Sequence, residues 1–262
     1  MKEQLTIIKI GGKVIDQERL LDQFLADFSQ IEGRKILVHG GGKIASEKGK
    51  QLGVKPNLVE GRRITDRDTL EVVTMVYGGL VNKNMVAKLQ SNGVNALGLS
   101  GADGNVLKAK KRPVKTIDYG FVGDVKKQDV NVVQLTSFLD LGLCPVVCAL
   151  THDGAGNLLN TNADTMASIM ASALSEVFEV NLIYCFEQPG VLEDFEKQMV
   201  IQELNSVSYE LYKQKGVIAD GMIPKLDNAF DALSNGVRSV SIGAFDQLQH
   251  LIEGKTGTRI KE

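Results

Sequence analysis

Residues 5–13 read LTIIKIGGK, and residues 35–42 read KILVHGGG. Each segment begins as a short apolar run typical of a β-strand, ends in glycines, and is followed by a stretch with the apolar spacing of a helix. A strand that leads through glycine into a helix is the opening of a βαβ unit, and two such units in succession predict a parallel sheet. These two segments therefore decide the fold class.

The rest of the chain continues the alternation of strands and helices. Further strands are predicted at 95–99, 145–150, 181–186 and 237–242, and helices at 17–30, 43–52, 132–141, 163–174 and 223–233. The pattern predicts an α/β protein, a three-layer sandwich with a mostly parallel central sheet and helices on both faces. In such folds ligands bind beyond the carboxyl ends of the strands, where the glycine clusters lie.

Two segments interrupt this alternation. At 54–64 and 106–126, glycine and proline separate short apolar groups, which indicates β-hairpins over the sheet edge. The second segment includes residues 108–115, where five of eight residues are lysine or arginine and none is aromatic. Such a run is typical of a solvated hairpin or loop.

A long helix is predicted from about Asp66 to Leu89, with Thr65 and Asp68 as a capping box. Its apolar surface is wider than one core contact needs, and comprises Leu70, Val72, Val73, Val76, Tyr77 and Leu80. Two interpretations stay open: the helix lies at a subunit interface, or it is buried in a large core.

Composition excludes several classes of protein. The formal net charge of −2 gives no reason to expect nucleic acid or an anionic membrane as partner. The apolar run at 5–10 is too short for a membrane span or a signal peptide. The three cysteines lie in apolar runs, as buried thiols of a reducing compartment do, and the three histidines form no cluster with metal-ligand spacing. We therefore expect a cytoplasmic protein without a protein-bound metal.

Two glycine-rich motifs are candidate anion sites. Gly11 and Gly12 follow Lys9 at the end of the first strand, and His39 precedes three glycines at the end of the second. Glycines let backbone N–H groups approach an anion closely, and a helix start adds positive potential. An HGGG segment also occurs in lipase-like hydrolases, but the Gly-x-Ser-x-Gly elbow they need is missing, because Ala102 ends the nearest match.

Two further motifs contain charged and amide side chains. Residues 160–164 read NTNAD, and residues 220–225 read DGMIPK. Either could simply start a helix. In combination, two glycine loops, two lysines, one aspartate and no general base suit phosphoryl transfer, which depends on positioning and electrostatic stabilisation. The absence of a base favours a carboxylate acceptor, which is already ionised at neutral pH.

These motifs together resemble the amino acid kinase family, specifically its acetylglutamate branch. The resemblance rests on five motifs in order, at residues 9–12, 39–42, 61–65, 160–164 and 220–225. It implies the amino acid kinase fold, with residues 1–178 as an N-terminal lobe for acyl-amino-acid binding and dimerisation and residues 179–262 as a C-terminal lobe for the nucleotide. It also implies ATP with Mg²⁺ held mainly by phosphates and water, and a homodimer.

The implied reaction is ATP-dependent phosphorylation of the γ-carboxylate of N-acetyl-L-glutamate, in arginine and ornithine biosynthesis. Lys9 and Lys225 would neutralise charge on the transferring and leaving phosphates, and Asp164 would hold both ammonium groups. The implied substrate-binding residues are Gly41, Gly42, Arg63 and Asn160. The implied phosphate- and nucleotide-binding residues are Gly11, Gly12, Glu187, Gly190, Gly221 and Met222.

The resemblance also implies finer roles. The N–H groups of Gly11, Gly12 and Gly41 would cradle the γ-phosphoryl group. Arg63 would grip the α-carboxylate of the substrate with two hydrogen bonds, and Asn160 would bind the amino-acid end.

One turn departs from the family pattern. Residues 186–190 read FEQPG where the family usually has a Ser/Thr-Asp turn, so Glu187 would replace the aspartate. Two alternatives stay open. One is the same reaction on another acylated acidic amino acid, such as N-succinyl-L-glutamate, because Arg63 and Asn160 do not determine the acyl group; the other is a non-catalytic amino-acid sensor on the same fold, which the altered turn favours.

Overall fold

The computed structural model describes residues 2–59, 61–218 and 221–262. The described residues contain strands β1 (Gln4–Ile10), β2 (Arg34–His39), β3 (Leu58–Val59), β4 (Arg62–Arg63), β5 (Ala96–Leu99), β6 (Lys110–Lys111), β7 (Gly123–Asp124), β8 (Cys144–Cys148), β9 (Leu150–His152), β10 (Leu158–Asn160), β11 (Glu179–Phe186), β12 (Leu192–Asp194), β13 (Met199–Val200), β14 (Glu203–Leu204), β15 (Ser239–Ala244) and β16 (Thr258–Ile260). Eight of them form the central sheet, in the order β14-β16-β15-β11-β1-β2-β8-β5. Neighbouring strands are parallel except for β15 and β16, so the prediction of a mostly parallel sheet is confirmed.

Helices cover both faces of this sheet. They are α1 (Gly12–Ile15), α2 (Glu18–Ser29), α3 (Gly42–Gln51), α4 (Arg67–Val73), α5 (Asn82–Ser91), α6 (Val132–Asp140), α7 (Ala163–Leu174), α8 (Ser206–Gln214), α9 (Ile223–Ser234) and α10 (Leu248–Ile252). On β1, Thr6 faces a cavity that α2 and α10 also line, whereas the Lys9 side chain contacts Asp164 of α7. Residues of opposite parity on a strand point to opposite faces, so α2 and α10 lie on one side and α7 on the other.

The carboxyl ends of the central strands lie side by side. Ile10 pairs with Cys185 on one side and with His39 on the other, and His39 pairs with Cys148. Because the strands are parallel, the segments that follow them leave from one edge of the sheet. That edge carries the glycine motifs. Within the described residues, no helix has the length and apolarity that crossing a membrane requires.

The long helix predicted from Asp66 to Leu89 differs from expectation in two ways. Asp66, not Thr65, caps α4, with its carboxylate accepting from the Thr69 N–H at 2.8 Å, so the predicted capping box is wrong. Thr65 is held in extended backbone instead, where its N–H donates to Tyr119 and its carbonyl accepts from Phe121. Between α4 and α5 the helix also widens into a π-helical segment, Thr74–Val81.

The apolar residues of this helix divide between core and surface. Four of the predicted set are buried, Val72, Val73, Val76 and Tyr77, whereas Leu80 is 43% exposed. Met75, on the same segment, is 55% exposed. The core interpretation therefore accounts for most of the apolar surface but not for these two side chains.

The two predicted hairpin regions do form antiparallel pairs. Strand β3 pairs with β4, and β6 pairs with β7. The three cysteines are buried and unpaired, as expected of thiols in a core.

Candidate active site

A cleft of 790 Å³ opens at the carboxyl edge of the sheet. Its walls come from the loop after β2, the β3–β4 hairpin, the start of α7 and the start of α9. The lining residues with predicted roles are Gly41, Gly42, Arg63, Asn160, Asp164, Gly221 and Lys225. Residues that are far apart in sequence therefore meet in one space.

Two lysines converge on the carboxylate of Asp164; Asp164 and Lys225 line the cleft, whereas Lys9 is not among its lining residues. The Nζ atom of Lys9 lies 2.8 Å from Oδ1 of Asp164, and the Nζ atom of Lys225 lies 3.0 Å from the same oxygen. Both lysine side chains are 12% exposed. Lys225 lies in the first turn of α9, where the helix dipole disfavours a cation. Asp164 therefore holds Lys225 in a position that helix electrostatics alone would not favour.

The same contacts set the ionisation of this cluster. Burial alone would raise the pKa of Asp164, but the charges of Lys9 and Lys225 outweigh it and hold the pKa far below the ordinary carboxyl range. Burial and the charge of Lys9 lower the pKa of Lys225, against the opposing attraction of Asp164. Asp164 is therefore ionised throughout the neutral range and is no reservoir of protons.

The second glycine loop packs against the π-helical segment. Gly41 has φ of +151°, and a Cβ at this position would lie 3.1 Å from the Tyr77 ring. Gly42 begins α3, and its Cβ position is 3.6 Å from the Tyr77 hydroxyl. Tyr77 thus forms the floor under this loop, and glycine is required for the close approach.

The first glycine loop has a different environment. The N–H of Gly11 donates to the carbonyl oxygen of Cys185 at 2.7 Å, so it is not free to bind a phosphoryl oxygen in this structure. Its Cβ position is 3.0 Å from Cβ of Phe186, which explains a glycine here through packing alone. Gly12 begins α1, and nothing lies within 4 Å of its Cβ position. The Gly11 N–H is thus bound within the protein, and the phosphate contacts expected of Gly11 and Gly12 stay predictions.

The predicted substrate-binding side chains, Arg63 and Asn160, also line the cleft. Nη2 of Arg63 donates to the Gly42 carbonyl and to Oγ of Ser46, both at 2.7 Å. The Asn160 amide donates to Oγ1 of Thr65 at 3.0 Å. These bonds hold the Arg63 guanidinium beside the glycine loop and use both Nη2 hydrogens, so a ligand would bind at Nη1 or Nε.

The residues predicted to bind the nucleotide are more scattered. Glu187 forms an ion pair with Lys13 at 2.7 Å, across the ends of β11 and β1. Met222 caps the start of α9 and packs on the core, whereas Gly221 lines the cleft. Asp220, part of the same motif, lies outside the described residues. The nucleotide contacts of Glu187, Gly221 and Met222 stay predictions.

Gly190 is closely packed. A Cβ on it would lie 2.6 Å from Cγ1 of Val200 and 2.8 Å from Oγ1 of Thr258. Replacing Gly190 with alanine is therefore expected to lower the free energy of unfolding by about 1–3 kcal/mol, because the core must shift to accept the methyl group. Urea unfolding measures this, with Gly12→Ala as control, whose Cβ position is open. Equal stability of the two variants would contradict the packing role.

Comparison with known proteins adds the decisive observation. Residues 4–244 match the sequence pattern of the amino acid kinase family. The chain belongs to this family. An acetylglutamate kinase from Cytophaga hutchinsonii is 57% identical over 262 residues, covering 98% of both chains. One from Bacteroides fragilis is 54% identical over 263 residues, covering all of this chain and 98% of its own. The family resemblance drawn from the motifs is confirmed.

Solved structures agree on the amino acid kinase fold. A protein from Streptococcus mutans is 30% identical and superposes with a TM-score of 0.79, covering 98% of both chains. An N-acetylglutamate synthase from Neisseria gonorrhoeae superposes with a TM-score of 0.84 at 22% identity, covering all of this chain and 60% of that one. The second likeness shows the fold alone.

Sequence reasoning missed Arg112 as a residue of this amino acid kinase cleft. It lies in the basic stretch 108–115, interpreted as a solvated hairpin, yet it lines the cleft. Its guanidinium donates to Oδ1 of Asp124 from Nε at 3.0 Å and from Nη2 at 2.6 Å. Its place in the cleft follows from the tertiary fold, and the local sequence gives no signal for it.

Proposed function

We infer that this protein uses ATP to phosphorylate the γ-carboxylate of N-acetyl-L-glutamate, giving an acyl phosphate for arginine and ornithine biosynthesis. The observation that carries this function is the pairing of Lys9 and Lys225 on Asp164 in the cleft. The acetylglutamate kinases that align over the whole chain support the choice of substrate. A sensor would have no use for two buried lysines held at a phosphate site.

The residues of the cleft supply charge and position. In phosphoryl transfer, negative charge spreads over the equatorial, attacking and leaving oxygens. The ammonium groups of Lys9 and Lys225 stabilise that charge, and Asp164 keeps both in place before the substrate arrives. The attacking γ-carboxylate is already ionised and needs no base. This agrees with the position of Asp164, which is paired with two lysines and so does not act as a base.

The chain divides the two substrates between its halves in this proposal. Residues 1–178 would bind the acyl amino acid through Gly41, Gly42, Arg63 and Asn160, and residues 179–262 would bind ATP. Lys225 and Gly221 belong to the second part and reach the cleft from the start of α9, which supports this division. Gly12 and Gly190 would complete the phosphate and nucleotide contacts.

Magnesium fits this site as a companion of ATP. Among the described residues that line the cleft, Asp164 is the one carboxylate, and two lysines hold it. Mg²⁺ keeps several waters and binds phosphate oxygens readily. We therefore propose that the phosphates and water hold the ion, which supplies further charge neutralisation when bound.

The exposed Met75 and Leu80 side chains support a homodimer through the long helix, since they extend an apolar surface that the core leaves uncovered. The three unpaired cysteines support a cytoplasmic location. Both remain proposals.

The function is tested by trapping the acyl phosphate as hydroxamate with Mg-ATP. N-acetyl-L-glutamate, N-succinyl-L-glutamate and free L-glutamate are compared as acceptors. Turnover is expected with N-acetyl-L-glutamate at the highest kcat/KM. Higher kcat/KM with the succinyl compound would overturn the choice of acyl group, and no product from any acceptor, with ATP still bound, would overturn the kinase.

Replacing Arg63 with lysine is expected to raise the KM for N-acetyl-L-glutamate about 10- to 100-fold, because a hydrogen bond between charged groups is worth about 1.5–3 kcal/mol and an ammonium does not reproduce the geometry of a guanidinium. The KM for ATP is expected to stay within about threefold, since the proposed contact is to the other substrate. Steady-state kinetics measure both. Arg34→Lys, at the far edge of the sheet where Arg34 pairs with Glu3 and Asp140, serves as control. An unchanged acceptor KM would contradict the role of Arg63.

A further inference from the structure

His39 is a fully buried titratable residue that the proposed chemistry does not use. It ends β2, directly before the glycine loop of the cleft. Its Nδ1 atom lies 2.8 Å from the carbonyl oxygen of Gly40, and its Nε2 atom lies 3.0 Å from Nδ2 of Asn82. Both ring nitrogens are therefore committed to hydrogen bonds.

These contacts determine which nitrogen carries the proton. A carbonyl oxygen can only accept, so Nδ1–H must donate to Gly40. Nδ2 of Asn82 also lies 2.8 Å from the Val146 carbonyl, which fixes that atom as the donor nitrogen. Nε2 of His39 therefore accepts from Asn82, and the ring is a neutral Nδ1–H tautomer.

The geometry of the peptide unit gives this bond a consequence in the cleft. The Gly40 carbonyl and the Gly41 N–H belong to one peptide, and the described chain contains no cis peptide bond. In a trans peptide these two groups point in opposite directions. The buried imidazole of His39 binds the Gly40 carbonyl, so that carbonyl points towards the core. The Gly41 N–H therefore points away from the core, towards the cleft that Gly40, Gly41 and Gly42 line.

We propose that His39 is a positioning residue that, held by Asn82, locks the Gly40–Gly41 peptide so that the Gly41 N–H faces the transferring phosphoryl group. This inference rests on the proposed function, because it needs a phosphoryl group at that position. In this role His39 neither transfers a proton nor contacts a ligand.

The surroundings of Asn82 are built to keep this arrangement. Asn82 is 1% exposed and begins α5 directly after the π-helical segment. Its Oδ1 accepts from Lys83 at 3.2 Å, and Lys83 also donates to the Gly98 carbonyl at 3.0 Å. A Cβ on Gly98 would lie 2.1 Å from Oδ1 of Asn82, so only glycine leaves room for this amide.

The ring also stays neutral at working pH. Burial lowers the pKa of His39 to about 4, and the charge of Lys83 adds to the effect against the bond to Gly40. Cys148, which pairs with His39 in the sheet, is a second titratable neighbour besides Lys83, and burial raises the pKa of its thiol to about 12. Neither the ring nor this thiol titrates between these values, so the Nδ1–H donor is permanent.

The test compares two substitutions of His39. Leucine removes the donor, whereas asparagine can place its amide nitrogen near the position of Nδ1. His39→Leu is expected to lower kcat about 10- to 100-fold, the scale of a misplaced backbone donor, while both KM values stay within about threefold. His39→Asn is expected to recover most of that loss. Ser172→Ala, which removes a buried hydrogen bond within α7, controls for lost stability alone.

The outcomes separate this inference from the proposed function. A wild-type enzyme that forms no acyl phosphate contradicts the function. Active wild type together with a folded His39→Leu variant of equal kcat overturns the positioning role, as does an asparagine variant no better than leucine. If the variants do not fold, ¹⁵N NMR of the wild-type histidines decides: a persistent Nδ1–H tautomer from pH 6 to 9 supports the role, and an Nε2–H tautomer or a titration near pH 6.5 overturns it.

Discussion

Lys225→Ala is expected to lower kcat about a thousandfold or more, because a full positive charge at the reacting phosphates is lost from a partly buried site. The KM for N-acetyl-L-glutamate is expected to change little, since Lys225 contacts Asp164 and is not one of the residues proposed to bind the acyl amino acid. The hydroxamate assay measures both constants. Only a very low turnover is therefore expected, with normal substrate saturation.

Lys35→Ala is the matched control for this experiment. Lys35 is also a buried lysine, and its ammonium donates to the carbonyls of Phe28, Ser29 and Ile31 at the opposite edge of the sheet. Its loss is expected to lower stability while kcat per folded molecule stays within about twofold. If both variants lost turnover equally, a general loss of packing would explain the result and the catalytic role of Lys225 would fail.

Asp164→Asn is expected to lower kcat by about the same factor, although the residue contacts no phosphate in the proposed mechanism. The amide cannot neutralise two ammonium groups, so Lys9 and Lys225 repel each other and lose their shared anchor. A positioning error of this kind acts mainly on kcat. A variant with at least a tenth of the wild-type kcat would contradict this role for Asp164.

The same substitution has a pH-dependent effect on stability with a definite sign. In the Asp164→Asn variant, burial and the charge of Lys9 still lower the pKa of Lys225, and the attraction of Asp164 that opposed them is gone. The folded state then binds fewer protons than the unfolded state, so stability rises with pH towards the ordinary lysine range. The free energy of unfolding of the variant is therefore expected to lie furthest below that of the wild type near neutral pH, and the difference is expected to shrink as pH approaches about 10. Unfolding curves at several pH values measure it.

In the wild type, stability also rises with pH at the acid end of the range. The pKa of Asp164 is depressed in the folded protein, so its stabilisation is complete above the unfolded carboxyl pKa of about 4 and is lost as pH falls below it.

The sequence predicted the fold well because hydrophobic period and glycine placement are local signals. Strand β1 and helix α7 were located to within a residue, since each is a continuous periodic run between clear breaks. The cap of α4 was misjudged for a tertiary reason. Thr65 and Asp66 are both good caps by residue type, but the backbone of Thr65 is paired with residues 119 and 121, which no local pattern encodes.

The sequence predicted which residues belong to the candidate site better than it predicted the contacts among them. Lys9, Asp164 and Lys225 could be named from sequence because five motifs occur in the order typical of the amino acid kinase family, whereas each motif alone could be an ordinary turn or helix start. The bond between the Gly11 N–H and Cys185 could not, because it joins two strands whose pairing is known only from the fold. The position of Arg112 in the cleft depended on such long-range geometry as well.

The place of β1 in the sheet has a consequence for how the chain folds during synthesis. The first strand of the protein lies in the interior of the sheet, between β2 and β11, and Leu5 pairs with Val180. Until about residue 186 has left the ribosome, β1 therefore has one open edge of unpaired backbone groups. Contacts of such long sequence separation slow folding and prolong exposure of aggregation-prone edges. The candidate active site joins β1 to α7 and α9, so it cannot be complete before the residues of α9 have left the ribosome.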